Sequence, residues 1–313
     1  MKQNSKLSKA KEAITHFLFA PADPAPLAVF RILFGTVLLW QGFWFAEDVL
    51  ELYGRDGILQ GGLADYMASM ALPNIGWVAR QLEALNISPD TTVRTTFLIY
   101  LGSLVSLILG WHTRVSAFIC WLSHFLVIIS GFVFVYGVDH FGNIFLFFMI
   151  WMPMGNKYSI DSWVGRTSSD PTSGTRLALR VLQFELCVIY VTSGIHKAMG
   201  EQWWTGEAIW RAVHLPLFGM VNMDWLAQAP WMAMLMAWAT LLIEIGYGIF
   251  VWPRRTKHLW VAATVALHIG IALTIGLVSF SVVMAVMTVA VFGVSGEVER
   301  PPALGRGLVP LRS

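Results

Sequence analysis

Charge is what this sequence has least of. Only 13% of its 313 residues are Asp, Glu, Lys or Arg, against about 25% in a typical soluble domain. Charge this sparse cannot cover a water-facing surface of such a size, so lipid covers part of it. The net charge of +2 points to no nucleic-acid partner. Cysteine is nearly absent: Cys120 and Cys187 lie inside apolar runs, read as space-filling thiols, and say nothing about redox compartment. The histidines lack a His-x-x-x-His spacing and no Cys cluster exists, so no metal site is expected. A phosphate-binding glycine loop, a Gly-x-Ser-x-Gly elbow and a dinucleotide fingerprint are also missing. Residues 1–21 hold Lys2, Lys6, Lys9 and Lys11 but no apolar stretch followed by a small-residue cleavage site, so this segment is expected to be retained.

What is present is long apolar runs. A spanning helix needs about 20 mostly apolar residues. Candidates are 27–46, 93–111, 115–136, 141–153, 177–195, 231–252, 259–275 and 277–294. The fourth is short before Pro153; it either extends back from Asp139 or dips partway in. The last two are separated only by about Gly276, so they make a tight hairpin or one is tilted. Many of the fifteen Trp fall near the ends of these runs, as rings at a membrane interface do. The expected fold is an all-α polytopic membrane protein with about eight transmembrane helices. Residues 1–23 form a cytoplasmic N-terminal segment, 24–295 the membrane domain and 296–313 a cytoplasmic tail.

Basic residues recur at every second connection. They are the N-terminal lysines, Arg114, the group Lys157, Arg166, Arg176 and Arg180, the group Arg254, Arg255 and Lys257, and finally Arg300, Arg306 and Arg312. The positive-inside rule then puts both termini in the cytoplasm. The opposite face carries two long connections, 47–92 and 197–230. The first is acidic, with Glu47, Asp48, Glu51, Asp56, Asp65, Glu83 and Asp90. Both are rich in apolar residues and are expected to lie as short amphipathic helices over the bundle mouth.

Ionisable residues at membrane depth are costly, face the bundle interior and often work there. They are Arg31, His124, His140, Glu185, His196, Lys197, Glu244 and His268. Glu185 and Glu244 are expected either to pair with a buried donor such as Arg31, Arg180 or a Trp indole, or to line a polar cavity. Two regions share the non-cytoplasmic side: Asp139-His140-Phe141-Gly142-Asn143, and Ser193-Gly194-Ile195-His196-Lys197. A lysine half-sunk in an apolar site loses hydration of its ammonium form and can serve as a neutral amine base near pH 7. The plain alternatives stand beside this. Lys197 is an interface anchor, His140, His196 and His268 are hydrogen-bonded structural histidines, and Asp139 is a helix cap.

The chain resembles a known family along residues 24–290. The resemblance is carried by Phe30-Arg31-Ile32-Leu33-Phe34-Gly35, Leu52-Tyr53-Gly54, Asp139-His140 with Asn143, and Tyr158-Ser159-Ile160-Asp161. It continues through Tyr190-Val191-Thr192-Ser193-Gly194-Ile195-His196-Lys197, Trp203 or Trp204 with Gly206, and His268-Ile269-Gly270 running to Phe280-Ser281. In order and spacing these segments are similar to the membrane domain of vitamin K-dependent gamma-carboxylase and its bacterial relatives, the horizontally transferred transmembrane (HTTM) domain family. The chain reads as a short bacterial member without the large lumenal region of the animal enzyme. The resemblance puts the catalytic base on Lys197, in a motif where His196 replaces a first lysine, and a second functional residue on His140. It implies a quinone-binding or substrate-binding set of Asp139, Asn143, Tyr190, His196, Trp203, Trp204 and His268, with Arg31, Glu185 and Glu244 as structural polar groups. It further implies a reduced quinone of vitamin K or menaquinol type, dioxygen, carbon dioxide where carboxylation follows, and no metal. Partners would be the lipid bilayer, the quinol and an exported peptide or protein, in a bacterial inner membrane with the active site facing away from the cytoplasm. A non-enzymatic maturation or scaffold partner for an exported peptide or lipid is the other reading.

Overall fold

The computed structural model describes residues 2–59, 73–131, 135–215 and 221–297. Asp65 in the first long connection, and Arg300, Arg306 and Arg312, lie outside the described residues. No strand occurs among the described residues; an isolated bridge joins Ala22 and Thr172. In lipid a chain must satisfy its backbone polar groups internally, and helices do so within one segment.

The helices are α1 (Lys2–Phe19), α2 (Ala25–Phe45), α3 (Val49–Tyr53), α4 (Ile75–Glu83), α5 (Pro89–Leu109), α6 (Thr113–Ser130) and α7 (Gly137–Trp151). They continue as α8 (Ile160–Trp163), α9 (Ser173–Ala198), α10 (Glu201–Thr205), α11 (Glu207–Val213), α12 (Pro230–Phe250), α13 (Arg254–Ile275) and α14 (Val278–Thr288). A π-helical turn, Val289–Gly293, extends α14. All eight apolar runs become helical. Six helices are long and apolar enough to cross a membrane, namely α2, α5, α6, α9, α12 and α13. The two shorter apolar helices are Gly137–Trp151 and Val278–Gly293.

Local chemistry sets the boundaries. Ser88 accepts from Thr91 N–H at the start of α5, with Pro89 at its first position. Thr172 accepts from Thr175 N–H at the start of α9. The short fourth run extends backward, as one alternative had it. Helix α7 starts at Gly137, and the Asp139 carboxylate accepts from Tyr136 N–H at 3.1 Å, which is the capping role. Gly276, at φ 81°, turns α13 sharply into α14. Helix α1 was not foreseen; its last turn is held by Phe17 against Phe184 and Trp252.

Both described ends of the chain lie at one end of the bundle. Asp23 N–H donates to Gly296 O at 3.2 Å, and Lys157 pairs with Asp23 at 2.8 Å. The long connections supply α3 and α4, then α10, α11 and a 3-10 turn Asp224–Ala227, at the other end. The core is aromatic and aliphatic: Phe30 stacks on Phe34 at 5.3 Å, and Phe145 meets both edge-on. Large apolar side chains such as Leu98, Val188, Leu242 and Leu273 stay exposed on the bundle's flanks, the surface lipid covers.

Candidate active site

Helices α9 and α12 are antiparallel neighbours. A Cβ added at Gly194 would lie 2.7 Å from Ile245 Cγ1 and 3.0 Å from Glu244 Cβ, and one at Gly248 would lie 2.7 Å from Val191 Cγ2. Missing side chains at Gly194 and Gly248 let the two backbones approach. This register puts Lys197, in the last turn of α9, beside Glu244 of α12.

The two form an ion pair through Lys197 Nζ and Glu244 Oε1. Glu244 keeps 6% of its side-chain surface and Lys197 26%. Lys197 Nζ also donates to Ser193 Oγ at 3.1 Å, one turn back on α9, and sits 5.3 Å from the centre of the Trp203 ring. Glu244 Oε2 is buried and takes no hydrogen bond. Glu244 is fourteen residues from Pro230 in sequence, so about 21 Å of α12 continues outward beyond it. Helices α10 and α11 lean on that outer half. Gly206, at φ 83°, sits so close that a Cβ would lie 2.5 Å from Met234 N, and Trp238 Nε1 donates to Trp204 O at 3.1 Å. The pair therefore lies below a helical cap, not at the bundle rim.

A second polar group lies in the bundle core. Tyr190 of α9 hydrogen-bonds His268 Nε2 of α13 at 2.9 Å and Thr288 Oγ1 of α14 at 3.3 Å. Tyr247 of α12 donates to the same Thr288 oxygen at 3.3 Å. The Tyr190 and Tyr247 rings stack 4.2 Å apart. His268 Nδ1, Thr264 Oγ1, Ser281 Oγ and Asn143 Oδ1 are buried without partners. Thr264 and His268 share a helix face at i, i+4. These four atoms and Glu244 Oε2 belong to the neighbouring helices α7, α12, α13 and α14.

The structure divides the expected residues. Lys197, Glu244 and Trp203 come together, as do Tyr190 and His268. His268 carries its Phe280 contact, 5.6 Å between ring centres, onward to Phe141 at 6.4 Å. His140, next to Phe141, is exposed; its N–H donates to Tyr136 O at 3.4 Å, and its ring makes no hydrogen bond among the described residues. No hydrogen bond or ring contact joins it to Lys197. His196 is exposed and Trp204 donates its indole to Ala198 O at 2.8 Å.

Glu244 is paired, but the donor is Lys197, not Arg31, Arg180 or an indole. Arg31 is spent elsewhere: it donates to Met154 O at 2.9 Å and to Tyr158 O, tying α2 to the turn after α7. Arg180 covers the Phe17 ring at 3.8 Å. Glu185 is half-buried and has neither a hydrogen bond nor an ion pair among the described residues. Sequence reasoning missed Tyr247, Thr264, Ser281 and Thr288. Tyr247 follows Glu244 at i+3 and Thr264 precedes His268 at i−4, a helical-face pattern that would have found both. No group of three or more His, Cys, Asp or Glu able to hold a metal occurs among the described residues.

Among known proteins, no curated protein and no solved structure matches the chain. One family model, the HTTM domain, matches residues 19–295. That domain is associated with vitamin K-dependent carboxylase-like membrane proteins. A match across nearly all of the helical bundle, including α9 and α12 with their ion pair, means that the chain belongs to the HTTM domain family.

Proposed function

We propose that this protein is a carboxylase-like membrane enzyme that takes a proton from a reduced quinone at the Lys197–Glu244 pair. The observation that carries this reading is a buried carboxylate with one oxygen bound to an ammonium and the other, Oε2, without a donor. A buried acceptor left unmet costs roughly 1–3 kcal/mol, and a ligand hydroxyl would remove that cost. The sequence suggested a solitary lysine acting as a neutral amine. With a carboxylate in contact, the pair works as a unit: Glu244 Oε2 accepts the proton and Lys197 Nζ hydrogen-bonds the oxygen that loses it. Ser193 Oγ holds Lys197 in place, and the Trp203 face is a favourable wall for its charge.

A bound quinol would supply the four electrons that reduce dioxygen, two in becoming the quinone and two more in becoming its epoxide, with one water released. Trp203 of α10 stands against Lys197, and Glu244 keeps only 6% of its side-chain surface, a sparsely hydrated setting that strengthens polar contacts. The Tyr190, Tyr247 and Thr288 hydroxyls with His268 offer a hydrogen-bonded wall for the second quinol oxygen. Carboxylation of an exported substrate with carbon dioxide would draw on the same proton transfer.

The test is anaerobic loading of the purified protein with reduced menaquinone or vitamin K, followed by oxygen and mass spectrometry. Epoxide is expected from the wild type and not from Lys197→Ala or Glu244→Gln. His140→Ala belongs in the same assay: lost epoxide with retained quinol binding would bring the exposed His140 into the reaction. Bound quinol without epoxide in the wild type would overturn the proposal in favour of a maturation partner.

A further inference from the structure

The end of the bundle away from the termini contains a half-open cavity, apart from the Lys197 cluster. It lies between α2, α3, α5, α6 and the first turn of α7, and shares no lining residue with the Lys197 cluster. Its volume is about 130 Å³. A protein cavity of about 150 Å³ takes up benzene, so this space has room for one six-membered ring.

The walls are suited to such a ring. Phe97 and Tyr100 come from one face of α5. The Tyr100 ring stacks on His124 of α6, 5.5 Å between centres and 23° between planes. His124 Nε2 faces Asp139 O at 3.3 Å; a carbonyl only accepts, so Nε2 carries the proton and Nδ1 remains an acceptor. Gly142 makes this possible, since a Cβ there would lie 2.4 Å from Nε2. Around the ring-sized space stand polar groups without protein partners. The hydroxyls of Tyr53 and Tyr100 and the amide of Gln41 make no hydrogen bond among the described residues. A wholly apolar occupant would shut water away from these groups and give them no partner in exchange, at a cost for each. An occupant with oxygen on its ring would meet them.

We propose that this cavity binds a single six-membered ring bearing hydroxyl groups, a phenol or a monocyclic quinol. The inference goes beyond the reading of Lys197 and Glu244 and does not depend on it. The probe is para-fluorophenol, titrated into the purified full chain in detergent and followed by fluorine NMR, with fluorobenzene as its hydroxyl-free match. The chain carries Lys197→Met with Glu244→Leu, so neither polar group of that pair can hold a phenol. A saturable shift is expected for para-fluorophenol. Tyr53→Phe and Tyr100→Phe should each weaken binding about 2–10-fold, the worth of one hydrogen bond. Ile128→Phe, which fills the space, should abolish it. Both tyrosine variants keep the ring and so the packing, so they decide the matter even where Ile128→Phe does not fold. Absence of saturable binding, equal affinity for fluorobenzene, or unchanged affinity in both tyrosine variants would overturn the proposal.

Discussion

Glu244 is enclosed among apolar helices and has one cationic neighbour. Removing either partner strands a charge. Lys197→Ala and Glu244→Ala should each lower stability by about 3 kcal/mol, the low end for a buried pair, because Lys197 keeps a quarter of its surface. The double variant Lys197→Met/Glu244→Leu should recover most of that loss. Thermal unfolding in detergent reads all three, and a double variant no better than the singles would show that the pair does more than cancel charge. Asp161 offers a second residue-scale test, on the side of the termini. Burial pushes its carboxyl up, but hydrogen bonds from Thr113 N–H and hydroxyl, His112 N–H and Arg166 outweigh this and hold it below its usual 3.8. A carboxyl lowered on folding stabilises the fold above its unfolded value, and that stability goes as pH falls through the lowered one. Wild type should therefore lose stability as pH drops below about 3.8. Asp161→Asn should be less stable at neutral pH and should lack this acid-side loss.

At the scale of elements, the cap over the Lys197–Glu244 pair rests on a close approach. Gly206 joins α10 to α11 with φ 83°, and its Cα faces the Met234 and Ala233 backbone with no space for a methyl group. A side chain there meets both a backbone penalty of roughly 1–2 kcal/mol and a clash that only separation relieves. Gly206→Ala should raise amide hydrogen exchange across 201–213 and leave α9 protected. Unchanged exchange in that segment would mean that the cap is held elsewhere, through Trp204 and Trp238. Helices α7 and α14 show another constraint at this scale. The fifteen residues of α7 rise about 22 Å, less than the roughly 30 Å hydrocarbon layer.

Across the whole molecule, the ends of the chain and the basic loops converge on one end of the bundle. Lys157, Arg166, Arg176, Arg180 and Arg254 belong to the connections and first turns found there. By the positive-inside rule we propose that this is the cytoplasmic end. A fluorescent protein fused at the C-terminus should therefore glow, and a periplasm-dependent phosphatase fused there should be inactive. The reverse pattern would invert the topology and turn the Lys197 pair toward the cytoplasm.

The sequence by itself determined the class of molecule, the apolar runs that become helices and the break between the last two near Gly276. Composition and run length act locally, so they survive without knowledge of contacts. It also singled out Lys197, Glu244, Tyr190 and His268, since ionisable and hydroxyl groups inside apolar runs are conspicuous. Which of them meet was decided only by tertiary structure. Glu244 lies 47 residues from Lys197, and their contact follows from the close approach of α9 and α12 at Gly194. Arg31 was withdrawn from any such pairing by backbone carbonyls in the turn after α7. The ring-sized cavity was invisible in the chain because Tyr53, Tyr100 and His124 come from three separate helices, each ordinary alone. Only packing leaves their polar atoms facing a common space without partners.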